Sequence, residues 1–302
     1  MSNSKILENN NLKGIIVPMI TPFKKNGDPD KRAIRELVRY LKTKAHGLLI
    51  NGTYGSGPLM LLRERKNVLE IIMEEVNSSI PVTVNISTTS TRHSIELGEH
   101  ALKTGVIGLN STPPYYFRHS EKTVEDYFVI LIESLHTNIY FYNIPSFTQF
   151  NINAALLLRL AKGGLKGIKD SSENILNFYK YLITLKSIID FQCIIGTEAL
   201  MLPAVLQGAP ACISGMCNYL PDLVMKMWSE IKKSNFTEAA ILQEKIIKIR
   251  DIFKTGPTIS LIHKFLKRIG INSGYTRAPY PEISDEIWIS IEEELKRIGV
   301  EF

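Results

Sequence analysis

Short runs of apolar and β-branched residues recur along the chain at 14–20, 47–50, 82–86, 106–109, 139–142, 165–169, 192–196 and 211–214. Runs of this length and composition predict buried strands. Between most of them the pattern changes to helical spacing. In 31–44, for example, Ile34, Leu37, Val38 and Leu41 fall three and four residues apart, an amphipathic helix. Strand then helix, repeated eight times, implies parallel strands joined by helical crossovers and enough units to close a (β/α)8 TIM barrel, an α/β fold. More helix follows the eighth strand than one unit requires, at 222–233, 236–254, 257–269 and 283–298. These segments predict extra C-terminal helices. The expected organisation is a single domain over 1–302, with the barrel core at 12–220 and the last barrel helix plus a helical appendix at 221–302. A doubly wound open sheet would alternate in the same way. However, no GxGxxG follows the first strand and no GxxxxGK[ST] occurs, which argues against nucleotide binding.

Composition narrows the picture. A chain of 302 residues with 44% apolar side chains can bury one large core, and no linker-like or low-complexity stretch marks an interior boundary. The net charge of +6, from 36 Lys and Arg against 30 Asp and Glu, would permit an acidic partner. Yet Lys226, Lys232, Lys233, Lys245 and Lys248 lie at helical spacing among Glu230, Glu238 and Glu244, the pattern of a solvated face, so no nucleic acid is expected. The first twelve residues are polar, and no stretch approaches the roughly 18 apolar residues of a membrane span. A cytoplasmic location without membrane attachment is expected. Cys193, Cys212 and Cys217 are odd in number and lack CxxC spacing, so they are read as reduced packing residues.

In such a barrel the working residues sit at the C-terminal ends of the strands and in the loops after them. That rule selects Thr53 and Tyr54, Tyr142, Lys169, and Gly196 to Glu198. Lys169 ends an apolar strand, where a charge is expensive without a purpose. Desolvation generally favours the neutral amine of a lysine, the form that attacks a carbonyl to make an imine. Taken alone, Lys169 reads more readily as structural glue paired with Asp170. A phenol at Tyr142, one strand away, could move protons during carbinolamine collapse and then serve the hydroxyl of the cleaved carbon. Gly52-Thr53-Tyr54-Gly55 offers a hydroxyl and loop NH groups suited to a carboxylate. No HExxH is present, and the six histidines are spread singly, so the sequence offers no metal-ligand set. His93 and His100 read as surface or helix-packing residues. No cofactor is expected, since an iminium on the lysine is itself an electron sink.

Three segments, Gly52-Thr53-Tyr54-Gly55, Tyr142-Asn143-Ile144-Pro145 and Gly167-Ile168-Lys169-Asp170, resemble the signature segments of the dihydrodipicolinate synthase and N-acetylneuraminate lyase superfamily. Pro18 with Thr21-Pro22-Phe23, Pro114-Tyr115-Tyr116 and Asn218-Tyr219-Leu220-Pro221 extend the likeness over most of the chain. Within the superfamily, residues 51–58 and Ser120-Glu121-Lys122 most resemble archaeal 2-keto-3-deoxygluconate aldolases. The resemblance implies a lyase of carbohydrate metabolism, of the Entner–Doudoroff type, cleaving a sugar acid to pyruvate and glyceraldehyde. It implies Lys169 as imine-forming residue, Tyr142 as proton shuttle, and Thr53 with the Tyr54 NH on the pyruvyl carboxylate. Pro18, Ser171, Gly196, Glu198, Ile213 and Ser214 match positions lining the site. A homotetramer with Tyr116 reaching a neighbour's site is also implied.

Three departures shape the expectation. Tyr54 stands where the family usually has a second threonine. Phe147 stands where dihydrodipicolinate synthases carry an arginine for the aldehyde's carboxylate, and a phenyl ring cannot make that ion pair. Asp251 aligns approximately with an arginine of relatives that accept the 6-phosphorylated sugar acid, although Arg118 remains a possible phosphate contact. The expected substrate is therefore non-phosphorylated. A dihydrodipicolinate synthase or N-acetylneuraminate lyase type of reaction is the nearest alternative, and a catalytically silent sugar-acid-binding barrel is the alternative of another class.

Overall fold

The structure, a computed structural model, describes residues 11–301; the first ten residues of the polar opening stretch lie outside them. Eight strands form in chain order: β1 Gly14–Pro18, β2 Gly47–Ile50, β3 Val82–Asn85, β4 Gly108–Ser111, β5 Ile139–Asn143, β6 Gly167–Asp170, β7 Gln192–Ile195 and β8 Ala211–Ile213. Each pairs in parallel with the next, and β8 pairs back onto β1, so the sheet closes into a (β/α)8 barrel. All eight strands are buried throughout, because helices cover the outer face while side chains fill the interior.

The helices form where the apolar spacing predicts them. Lys31–Leu41 turns Ala33, Ile34, Leu37, Val38 and Leu41 onto the barrel. Its N-terminus is capped by Asp30, whose Oδ1 accepts from the NH groups of Arg32 and Ala33 at 3.0 and 3.1 Å, an arrangement worth roughly 1 kcal/mol. It ends at Leu41, three residues earlier than expected. Beyond β8, the helices Pro221–Lys232, Phe236–Lys254, Thr258–Arg268 and Asp285–Arg297 supply the last barrel helix and the extra C-terminal layer. Lys226 pairs with Glu238 at 2.7 Å and Lys248 with Glu244 at 2.6 Å, as a solvated charged face requires. His93 is exposed, and His100 contacts Glu70 at 2.7 Å. The three cysteines are buried and free. Among the described residues no helix is long and apolar enough to cross a membrane.

Strand ends depart most from expectation. The fourth strand, expected at 106–109, is Gly108–Ser111. Val106 and Ile107 are only half-buried at the base of the barrel, while the polar Asn110 and Ser111 are buried, so the strand extends into residues that a hydrophobicity pattern rejects. For the same reason β5 and β6 run one residue past Tyr142 and Lys169 into Asn143 and Asp170.

The base of the barrel is plugged by Leu12. Gln192 holds it at both backbone atoms, accepting from the Leu12 NH at 2.9 Å and donating to the Leu12 carbonyl at 2.8 Å. The Tyr140 hydroxyl donates to the same Gln192 oxygen at 2.8 Å. The ring of Tyr140 lies across the interior against Gly108 and Gly167, at each of which a Cβ would come within about 3 Å of it. Sheet pairing is uneven around the barrel. β5 and β6 share four residue pairs, whereas β7 and β8 share one, Ile195 with Cys212. After β8, Asn218 ties the chain to the end of β1, donating to the carbonyls of Pro18 and Gly215, each at 3.0 Å, and accepting from the Ile20 NH at 3.1 Å.

In the C-terminal layer His263 is buried, with Nδ1 2.8 Å from the Ser273 carbonyl, and the Ser273 hydroxyl donates back to the His263 carbonyl at 2.8 Å. Burial lowers its pKa from 6.5 to about 4. The unfolded imidazole therefore takes up a proton at a higher pH than the folded one, so this contribution to stability is complete above about pH 6.5 and is lost as pH falls toward 4. The expected loss across that window is on the order of 3 kcal/mol. Denaturant unfolding of the native chain and His263→Gln at pH 7 and pH 4.5 checks it: the variant should lose much less stability between the two conditions.

Candidate active site

The register of β5 on β6 sets Tyr142 beside Lys169 and Asn143 beside Asp170. Side chains alternate along a strand, so the first pair faces into the barrel mouth and the second faces the helices. Lys169 is 3% exposed, and its Nζ lies 3.7 Å from the centre of the Tyr142 ring. The Tyr142 hydroxyl is 3.3 Å from Thr53 Oγ1. Asp170 does not pair with the lysine. Its carboxylate accepts from Asn143 Nδ2 at 2.8 Å, the Ser172 NH at 3.2 Å and the Ser172 hydroxyl at 3.0 Å. Burial raises the Asp170 pKa despite these hydrogen bonds. The structural-glue reading of Lys169 with Asp170 is therefore incorrect, because strand alternation sends the two side chains to opposite faces.

The loop after β2 that carries Thr53 is held tightly from below. Asn51 and Ser56 adopt left-handed conformations, with φ of 57° and 54°, and the chain folds back so closely that a Cβ on Gly57 would fall 1.9 Å from the Asn51 carbonyl oxygen. Only glycine fits there. Thr21 Oγ1 donates to the Gly55 carbonyl at 2.7 Å, and Asn51 Nδ2 to the Arg65 carbonyl at 2.9 Å. The Arg65 guanidinium, 2% exposed, donates to the carbonyls of Ser87 and Asn85 at 2.8 and 2.5 Å, and burial lowers its pKa to about 10.

Above these residues a cavity of about 340 Å³ opens at the C-terminal ends of the strands. It gathers Pro18, Thr53, Tyr54, Tyr142, Lys169, Ser171, Gly196, Glu198 and Ile213 from across the sequence. Two expected residues are not brought to it. Ser214 is fully buried, with its hydroxyl accepting from the Cys217 NH at 3.3 Å; its neighbours Ile213 and Gly215 line the cavity instead, as alternation dictates. Tyr116 stands outside at 79% exposure, edge-on to Phe117. An adjoining cavity of about 310 Å³ shares Thr53, Tyr142, Ile144, Phe147 and Tyr280 with the first.

The cavity also contains charges that the sequence reading missed. Arg250 and Lys254, on one face of the helix Phe236–Lys254, line it beside Glu173. Arg250 pairs with Glu173, and Lys254 Nζ is 3.4 Å from the same carboxylate. Asp251, aligned approximately with the phosphate-binding arginine of relatives, lies instead in a different hollow with Lys248 and Arg297. The four-residue spacing of Arg250 and Lys254 was a visible signal, submerged among the other lysines of the same helix.

A buried amine over a phenol, with a hydroxyl-bearing loop opposite, thus stands at the mouth of the (β/α)8 barrel. The chain belongs to the dihydrodipicolinate synthetase family, whose model matches residues 11–298. The superfamily comprises pyruvate-dependent carbon–carbon lyases. A 4-hydroxy-tetrahydrodipicolinate synthase from Chlorobaculum parvum is 28% identical, over 97% of this chain and 100% of the relative. An uncharacterized DapA-like lyase from Pyrococcus horikoshii is 29% identical, over 93% of this chain and 99% of the relative. The solved structure of dihydrodipicolinate synthase from Bacteroides thetaiotaomicron superimposes with a TM-score of 0.89 at 28% identity, covering 96% of this chain and 99% of that one.

Gly196 shows how little slack the cavity wall has. A Cβ there would fall 2.1 Å from Ser171 Oγ and 2.7 Å from the Asp170 carbonyl oxygen. Gly196→Ala should cost about 1–3 kcal/mol through overpacking, measured by denaturant unfolding; a change below about 0.5 kcal/mol would contradict this close packing.

Proposed function

We propose that this protein is a class I aldolase that reversibly cleaves 2-keto-3-deoxygluconate to pyruvate and glyceraldehyde. The observation that carries the reading is the Lys169 amine seated 3.7 Å over the Tyr142 ring, with Thr53 reaching the phenol at 3.3 Å. In this reading Lys169 Nζ adds to the C2 carbonyl, and the carbinolamine loses water to give an iminium. Tyr142 takes the proton of the C4 hydroxyl, the C3–C4 bond breaks, and its electron pair moves into the iminium to form an enamine. Glyceraldehyde departs. The enamine is protonated at C3, and water releases pyruvate and the free lysine. Thr53 and the Tyr54 NH hold the pyruvyl carboxylate, while Ser171, Gly196 and Glu198 face the sugar chain.

The choice of aldehyde rests on the cavity wall. Phe147 lines it where an ion pair to an aldehyde carboxylate would be needed, which counts against an aspartate-semialdehyde-type substrate, the reading favoured by the name of the Chlorobaculum relative. The cations of Arg250 and Lys254 are engaged by Glu173, which favours a neutral aldehyde half over a phosphorylated one. Coupled assays with glyceraldehyde, glyceraldehyde 3-phosphate, aspartate semialdehyde and N-acetylmannosamine should give the highest kcat/KM for glyceraldehyde.

The assembly belongs to the same proposal: a cytoplasmic homotetramer in which Tyr116 of one copy faces a neighbour's site. Its support is the exposed Tyr116–Phe117 pair, held outward by a left-handed Tyr116 of φ 85°. Gel filtration with light scattering tests it, and an active monomer would overturn it.

Borohydride reduction in the presence of pyruvate, followed by peptide mass analysis, should place one adduct on Lys169 and none on Lys169→Ala. An adduct elsewhere, or none on the native chain, refutes the mechanism. Tyr142→Phe should lower kcat about a hundredfold or more, the usual worth of a positioned proton carrier.

A further inference from the structure

Gly215 follows β8 with φ −66° and ψ −36°, a helical conformation open to every residue. Its backbone therefore does not call for glycine. A side chain does: an ideal Cβ on Gly215 would fall 2.4 Å from Tyr54 Cζ, 2.5 Å from its hydroxyl and 2.7 Å from Cε1. Tyr54 belongs to the loop after β2 and Gly215 to the loop after β8, with β1 between them. The Tyr54 ring consequently lies over the end of β1, where Pro18 lines the cavity floor.

Three observations give this ring a role in recognition. Tyr54 lines the same cavity as Lys169 and Glu198. Its hydroxyl has no hydrogen-bond partner among the described residues. Burial, assisted by the Glu198 charge, raises its pKa, so the phenol keeps its proton and acts as a donor at neutral pH. Ser171, Gly196 and Glu198 line the same cavity.

We propose that Tyr54, seated on Gly215, is a specificity-determining residue: its ring closes one side of the cavity, and its hydroxyl donates to a hydroxyl oxygen of the aldehyde-derived half of the substrate. This inference rests on the aldolase reading and deepens it. The glycine and the tyrosine act as one unit, so displacing the ring from either position has the same consequence.

The test is condensation of pyruvate with glyceraldehyde and with propionaldehyde, which has the same carbon count without the hydroxyls. The native chain should prefer glyceraldehyde in kcat/KM. Tyr54→Phe should lower that preference by about three- to tenfold, the worth of one neutral hydrogen bond. Gly215→Ala should lower it similarly, since the added methyl displaces the ring. Added to Tyr54→Thr, Gly215→Ala should have no further effect, because no ring remains to displace. Thermal melts of each variant confirm folding. If the native chain traps pyruvate but Tyr54→Phe leaves the preference unchanged, or if the two positions act additively, the Tyr54 inference fails alone. If the native chain traps no pyruvate, the aldolase reading fails and takes this inference with it.

Discussion

The register of β5 against β6 is the constraint on which the rest of the site depends. Pairing Tyr142 with Lys169 brings amine and phenol together, and pairing Asn143 with Asp170 bolts the same two strands one residue further along. A slip of one residue would turn the lysine out toward the helices and the aspartate into the mouth. Both faces of these strands are covered, so the slip would also bury charge without partners. The outward pair thus protects the inward one, although it makes no contact with the cavity.

Around this fixed pair the molecule spends stability on position. Arg65 and Asp170 are charged groups buried to within 2% of complete, and each is compensated by hydrogen bonds to neutral partners rather than by an opposite charge. Such groups are costly to desolvate. Here Arg65 braces the end of β3 and the loop that follows it, and Asp170 braces the loop after β6. The left-handed backbone at Asn51 and Ser56 belongs to the same pattern of local strain beside a site.

The barrel and its C-terminal helices were legible because eight apolar runs and the helical spacing between them follow directly from burial. The strand termini were not. Asn85, Asn110, Asn143 and Asp170 are polar residues buried at or near the strands' C-terminal ends, and periodicity discards them. Of the cavity residues, those at strand ends could be read from the sequence because topology delivers them to one place. Glu173, Arg250 and Lys254 could not, since their convergence depends on how a helix beyond the barrel packs over its mouth. Ser214 was misplaced for a simpler reason: at the end of a strand, a shift of one residue separates the cavity from the core.

The uneven sheet pairing gives the barrel a compliant side and a stiff side. β5, β6 and β7 are joined by four residue pairs at each step, but β7 and β8 meet through one, and β8 is further secured by the side chain of Asn218. Elastic deformation concentrates where restraints are fewest. Backbone restraint is therefore thinnest along the β7–β8 seam, while the Lys169 amine and the Tyr142 ring are carried on the arc where it is densest.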